Sequence, residues 1–354
     1  MLNVPSLAFD SLDFVDEMPS VPVEGDDTVR FQYTIPSREV IEVVKAVAAT
    51  GMILPITPPT ANSTWTIQFS GPSLRCENMS KSLTEAVESN IASATRSDSC
   101  QAYGYLAWLE GLPFRNDTTE ASSEGTYAFN SRIFQGSSMP AVLYIAASPE
   151  AMRMDEHGAP PAACVEPVEP LYRADRGATM LQCELQTFQY EVFFNYTNGM
   201  QDVALNTTPL DDSTIQTVPS INCTTSDPDD ASCDFTPDAL RTMSYQAIMD
   251  AVTYLITGFV NVEQNSTAPF MSTQVISTAL ISTPELDFLT QPVLARDSSA
   301  KARTLQQNVL DWKSTRDQGL VQTDAREQVS SLKDTIEQLF RNATVSMMSQ
   351  AHLQ

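Results

Sequence analysis

The side chains whose spacing points to chemistry in this sequence are asparagines and cysteines. Eight of the fourteen asparagines stand in an N-x-S/T context: Asn62, Asn78, Asn116, Asn195, Asn206, Asn222, Asn265 and Asn342. Ser and Thr make up about a fifth of the chain, so chance alone places roughly three asparagines in that context. The excess reads as a surface repeatedly offered to N-glycosylation. Six cysteines accompany them: Cys76, Cys100, Cys164, Cys183, Cys223 and Cys233. They contain no C-x-x-C pair, and the two histidines, His157 and His352, stand far from any close cysteine pair, so a metal site has no support. An even set of this kind points to disulfides and an oxidising compartment. Six cysteines allow many connectivities. Proximity favours Cys223–Cys233 across a polar loop, Cys76–Cys100 across a helix, and Cys164–Cys183 between a Pro-rich loop and a strand. Three such bridges stabilise by several kcal/mol, mainly by restricting the unfolded chain.

Catalytic constellations are weaker. The chain has no G-x-x-x-x-G-K-[ST], no G-x-G-x-x-G and no G-x-S-x-G, so phosphate cradles and nucleophile elbows lack their sequence signature. Asp155-Glu156-His157 lacks the second histidine of H-E-x-x-H chemistry and lies among Pro and Gly. Asp211-Asp212 and the Asp227–Asp230 cluster offer oxygen ligands, but without the D-x-[DN]-x-[DN]-G order of a calcium loop they read as solvated loops. With 44 acidic residues, some carboxylate pair of the glycosidase kind is inevitable, and spacing along a chain does not fix separation in space. The aromatic run 188–196 resembles a sugar-stacking platform, yet alternating aromatics on a hairpin ordinarily face a core. No catalytic residue, metal ligand or cofactor is assigned.

The elements that must position these groups read as α+β: antiparallel sheet with packed helices, stapled by disulfides. Residues 1–36 form an acidic, irregular N-terminal arm, a tail or a strand-forming entry arm, 37–148 a first α+β half, 149–178 a Pro-rich loop, and 179–350 a second half within one continuous globular unit. A helix is expected over Arg38–Thr50, with Ser37 as N-cap, a Val40, Ile41, Val44, Val47 stripe and Gly51 after its end. Alternation at Trp65, Ile67 and Phe69 predicts a strand, and 79–94 a second helix. YLAWLEG, TYAFN and AVLYIAAS are further strand candidates. Phe188, Tyr190, Val192, Phe194 and Tyr196 alternate up to Asn198-Gly199, a type I′ turn signal, so a hairpin is expected with Asn195 opposite the aromatic stripe. Residues 211–235 read as a polar loop. Thr236 and Pro237 open a helix running to about Val260. Asp324 with Glu327 reads as a capping box before a C-terminal helix carrying Val329, Leu332, Ile336, Leu339, Phe340 and Ala343.

The balance of 44 acidic against 20 basic residues, a net charge of −24, argues against nucleic acid or an anionic membrane surface as partner. The first twenty residues have neither the basic nor the apolar region of a signal peptide. The most apolar runs, 141–148 and 245–260, are too short or too polar to span a bilayer. An extracellular composition without an export signal is expected of a piece of a longer chain.

The run TGMILPITPPTANSTWTIQFSGPSLRCENMS, with Gly51, Ile53 to Ile56, Pro58, Pro59, Asn62, Trp65, Phe69, Gly71 to Leu74 and Cys76, resembles the opening of the extracellular domain of large uncharacterised membrane proteins of filamentous fungi. LQCELQTFQYEVFFNYTNGMQ, SYQAIMDAVTYLITG and IEQLFRNATVSMMS are similar to later blocks of that group in the same order, so the resemblance covers roughly residues 2–350. It implies flanking membrane helices, exposure on the extracellular face of the plasma membrane or in the secretory pathway, and contact with an extracellular ligand or cell-wall component. It supplies no activity. The label "formylmethionine deformylase-like" attached to such proteins is unsupported, because the chain has no H-E-x-x-H. The expected function is a non-enzymatic, glycosylated, disulfide-bonded extracellular domain. The rivals are a secreted carboxylate-dependent hydrolase and a passive structural spacer.

Overall fold

Chain order is β1 (Ser20–Pro22), β2 (Thr28–Gln32), α1 (Arg38–Thr50), β3 (Ser63–Asn78), α2 (Lys81–Thr95), β4 (Gln101–Leu109), β5 (Val142–Ala147), β6 (Thr179–Thr197), β7 (Met200–Pro209), β8 (Ser220–Thr224), β9 (Ser232–Cys233), α3 (Pro237–Ile256), β10 (Gly258–Glu263), β11 (Phe270–Met271) and α4 (Leu332–Ser346). The computed structural model describes residues 5–16, 18–23, 28–95, 101–109, 138–149, 178–224, 232–233, 235–263, 270–290, 330–350 and 353.

The α+β expectation holds: antiparallel sheets and packed helices, with disulfides in both sheets. The larger sheet runs β11-β10-β4-β5-β6-β3, with β7 also paired to β6. Its spine is β6. One edge of β6 pairs with β3 from Ser63↔Tyr196 to Asn78↔Leu181. The other edge is shared, Thr179–Glu184 pairing with β5 and Phe188–Thr197 with β7. The alternation that predicted a hairpin is therefore used on both sides, and both halves of the chain build one sheet. The β6–β7 turn is the expected one: Asn198 and Gly199 have φ 52° and 80°, as a type I′ turn requires.

The helices follow from stripe and caps. In α1, Val40, Val43, Val44 and Val47 are buried, and the chain leaves the helix through Gly51 at φ 72°, a left-handed value that costs glycine little. Ser37 occupies the N-cap position without a side-chain cap bond. Thr236 accepts from the Ala239 amide and Pro237 follows at N1, starting α3. In α4 the observed cap is Ser331, which accepts from the Asp334 amide. The expected Asp324–Glu327 box lies outside the described residues, as do Val329, the TYAFN strand and most of the 149–178 loop.

α1, α3 and α4 cover one face of the sheet. Val44, Ile248, Val252 and Phe340 share its main core with Leu74, Tyr105, Leu143, Ile145 and Leu185. α2 covers the opposite face of β4 and β5, where Val87 packs with Leu106, Trp108, Ala146 and Met180. A third cluster lies under the far end of the β6–β7 hairpin, where Tyr190, Phe194 and Tyr196 meet Ile56, Val345 at the end of α4 and Met348 just beyond it. Trp65 stacks on Phe194 at 4.9 Å and on Tyr196 at 5.2 Å between ring centroids. The aromatic stripe is thus core, as its alternation implied.

Three expectations change. The N-terminal arm is the strand-forming alternative rather than an irregular tail: it supplies β1 and β2, and Phe9, Phe14 and Tyr33 are buried in the main core. Residues 211–235 hold β8 and β9, which with β1 and β2 make a second sheet in the order β1-β2-β8-β9. The inward residues there, Ile221 and Cys223, are hidden among Ser, Thr and Asn, so no apolar run advertised the strand. The helix expected to reach Val260 stops at Ile256. Thr257 turns extended, Gly258 takes φ 119°, and residues 258–263 become β10, paired with β4. A neighbouring strand needing a partner outweighs local helix preference there.

Candidate functional site

The C-terminal helix and the hairpin edge strand enclose a cleft of about 590 Å³ between α4, β7 and the Gly51–Ile53 segment. α4 contributes Asp334, Glu337, Gln338, Arg341 and Asn342; the inward side of β7 contributes Gln201, Val203, Leu205 and Thr207, with exposed Asp202 at the border. The lining is predominantly polar, with aliphatic patches. Such a surface suits a hydroxyl-rich ligand better than an apolar one.

Several polar groups of the cleft already have structural partners. Glu337 accepts the Cys76 amide at 2.9 Å on one oxygen and Arg341 at 3.0 Å on the other. Arg341 also donates to the Ser73 hydroxyl and lies 5.7 Å over the Phe188 ring. Asp334 accepts the Ser331 hydroxyl at 2.7 Å. Gln201 bonds at both ends: its oxygen accepts the Ile56 amide and the Tyr196 hydroxyl, and its amino group donates to the Leu54 carbonyl. Pro72, at mid-strand in β3, receives hydroxyls from both Tyr190 and Thr344 on its carbonyl. Burial pushes the Tyr190 hydroxyl well above its ordinary range.

Sequence reasoning missed Glu337 and Arg341. Their i,i+4 spacing was the available signal, but the pair gains its role only because α4 packs against β3.

The acidic pairs considered as calcium ligands are dispersed. Asp211 accepts the Ser213 amide and hydroxyl, while Asp212 pairs with Arg75. Asp155, His157, Asp227–Asp230 and His352 lie outside the described residues. Among the described residues no three His, Cys, Asp or Glu side chains converge as a metal site requires.

The sequon asparagines divide clearly. Asn62, Asn78, Asn206 and Asn222 are exposed and Asn195 is half-buried on the outward face of β6. Asn62 accepts the Asn198 amide on its carbonyl oxygen, and Asn222 likewise accepts Arg30, which leaves the amide nitrogen that carries a glycan outward. Asn342 is 6% exposed, and its amide nitrogen donates to the Gly51 carbonyl at 2.9 Å. A glycan on Asn342 is incompatible with that packing. Asn116 and Asn265 are outside the described residues.

Two disulfides are described, Cys223–Cys233 between β8 and β9 and Cys76–Cys183 between β3 and β6. The first is the pairing that proximity favoured. The second replaces both Cys76–Cys100 and Cys164–Cys183: Cys76 and Cys183 are direct register partners, a relation that sheet topology creates and sequence distance conceals. Cys100 and Cys164 lie outside the described residues.

No helix among the described residues is long and apolar enough to cross a membrane. Comparison with protein-family models, with curated proteins and with solved structures gave no match to this chain.

Proposed function

We propose that this chain is the N-glycosylated, disulfide-bonded extracellular domain of a fungal surface membrane protein, acting by binding or cell-wall contact rather than by catalysis. The observation that carries the reading is the disposition of the sequons. Of six within the described residues, four are exposed and a fifth, Asn195, stands half-buried on the outward face of β6, so five are placed to carry a glycan. Disulfides in both sheets support an oxidising compartment. The polar cleft between α4 and β7 is the seat for a hydroxyl-rich ligand such as a wall saccharide. A two-carboxylate hydrolase has less support, because Glu337 and Asp334 are held by Cys76, Arg341 and Ser331.

A non-reducing peptide map by mass spectrometry of the natively expressed protein tests this. Disulfide-linked Cys76 and Cys183 peptides, with glycans on several of Asn62, Asn78, Asn195, Asn206 and Asn222, are the expected result. Free thiols on bare polypeptide overturn it.

A further inference from the structure

The outward face of β6 reads Gln189, Glu191, Phe193, Asn195: three polar residues and one phenylalanine that is 44% exposed. Its register partners are Thr66 on β3 and Ala204 on β7, side chains too small to cover the ring. Every other aromatic of this strand faces the core. One ring beside one alanine is too small an apolar patch for a protein partner.

Two residues further along the same face stands Asn195, and Thr197 completes its sequon. Side chains at i and i+2 of a strand share a face about 7 Å apart, the reach of one pyranose ring. Asn195 sits opposite Thr64 and Asp202, so its lateral neighbours are small or polar, and the neighbour two residues back is the bare ring. The axial C–H groups of a saccharide form a weakly polarised apolar face, and the aromatic face carries the complementary negative charge.

We infer that Phe193 is the stacking platform for the first sugar of a glycan on Asn195, so that glycan and hairpin form one packed unit. This rests on the glycosylated-domain reading above. It explains why an apolar ring is held outward on a face otherwise built of Gln, Glu, Asn and Thr.

The test is a mutant cycle on the full chain from a glycosylating secretory host: wild type, Phe193→Ser, Asn195→Gln and the double variant, with Phe193→Tyr as rescue. Glycan occupancy at each site and Tm are measured, together with the proton shifts of the innermost sugar. Stacking predicts that Phe193→Ser lowers Tm by about 2 °C more when Asn195 carries its glycan than in the Asn195→Gln background. It also predicts that the inner-sugar protons lie upfield with Phe or Tyr at 193 and return to ordinary positions with Ser. An occupied Asn195 with no coupling and no upfield shift overturns the stacking and leaves the glycosylated-domain reading intact. A bare Asn195 beside other occupied sequons does the same. Bare asparagines throughout remove both.

Discussion

Cys76 and Cys183 face each other across β3 and β6 as register partners, 107 residues apart in sequence and joined by a disulfide. The bond lies inside the main core, with both residues fully buried, and the Cys76 amide donates to Glu337 of α4. One residue pair thus ties together two strands and a helix.

The two described disulfides should differ in worth. Cys223–Cys233 spans 10 residues. In the chain-entropy picture it contributes about 2.7 kcal/mol, against about 4.7 for a loop on the scale of Cys76–Cys183. Paired Cys→Ser replacement at 76 and 183 is expected to lower the unfolding free energy by about 3–5 kcal/mol, and at 223 and 233 by about 2–3. Urea unfolding of the two double variants measures the order.

Glu337 holds α4 to the sheet through the Cys76 amide and pairs with Arg341 within the helix, and the substitutions that remove these bonds separate its roles. Glu337→Ala leaves the Cys76 amide and the Arg341 guanidinium without this acceptor, costing about 2–3 kcal/mol. Glu337→Gln keeps one acceptor for the amide and costs less. Equal losses in thermal unfolding contradict this assignment.

Gly258 should tolerate no side chain. Its φ of 119° disfavours any L residue, and an added Cβ would stand 2.7 Å from the Ser272 carbonyl oxygen. Gly258→Ala is expected to cost about 2–4 kcal/mol through strain and clash. Hydrogen exchange should show the loss concentrated at the α3–β10 junction and the β10–β4 ladder.

Glycan mapping should leave Asn342 bare, because its amide nitrogen is committed to Gly51. Asn342→Ala should cost about 1–2 kcal/mol for the same reason. A glycan on Asn342 of a protein with unchanged stability contradicts the seating of α4 against the end of α1.

Alkaline pH should unfold the chain through its buried phenols. Burial raises Tyr33, Tyr105, Tyr190 and Tyr245, and the Asp250 carboxylate beside Tyr33 raises that hydroxyl further. A raised folded-state value means that the unfolded chain loses these protons first. The stability they contribute is complete below about pH 10, the ordinary phenol value, and is lost as pH rises above it. Absorbance titration near the phenolate band should show these four tyrosines ionising together with loss of the fold. Independent ionisation in the folded protein contradicts their burial.

Local signals carried much of this fold. Val40, Val44, Val47 and Gly51 define α1 without tertiary help, and Asn198-Gly199 with its flanking alternation defines the hairpin. Gly258 and the Ile221–Cys223 strand escaped, because their structure is dictated by partners: β4 waiting for β10, and β2 for β8. The Cys76–Cys183 bond escaped for the same reason. The sequons were legible as a set, but the burial of Asn342 depends on Gly51, far away along the chain. The polar cleft was not legible, since α4 and β7 meet only through the completed sheet.

The position of α4 has a consequence for synthesis. Its residues bond to Gly51, Leu54, Pro72, Ser73 and Cys76, and its apolar side covers two of the three core clusters. A ribosome delivers β3 long before it delivers Leu332, and at ordinary elongation rates the interval between α3 and α4 alone is on the order of ten seconds. Throughout that interval the aromatic underside of the hairpin has no lid. Nascent chains of this protein are therefore expected to need a holdase until α4 emerges and closes over that surface.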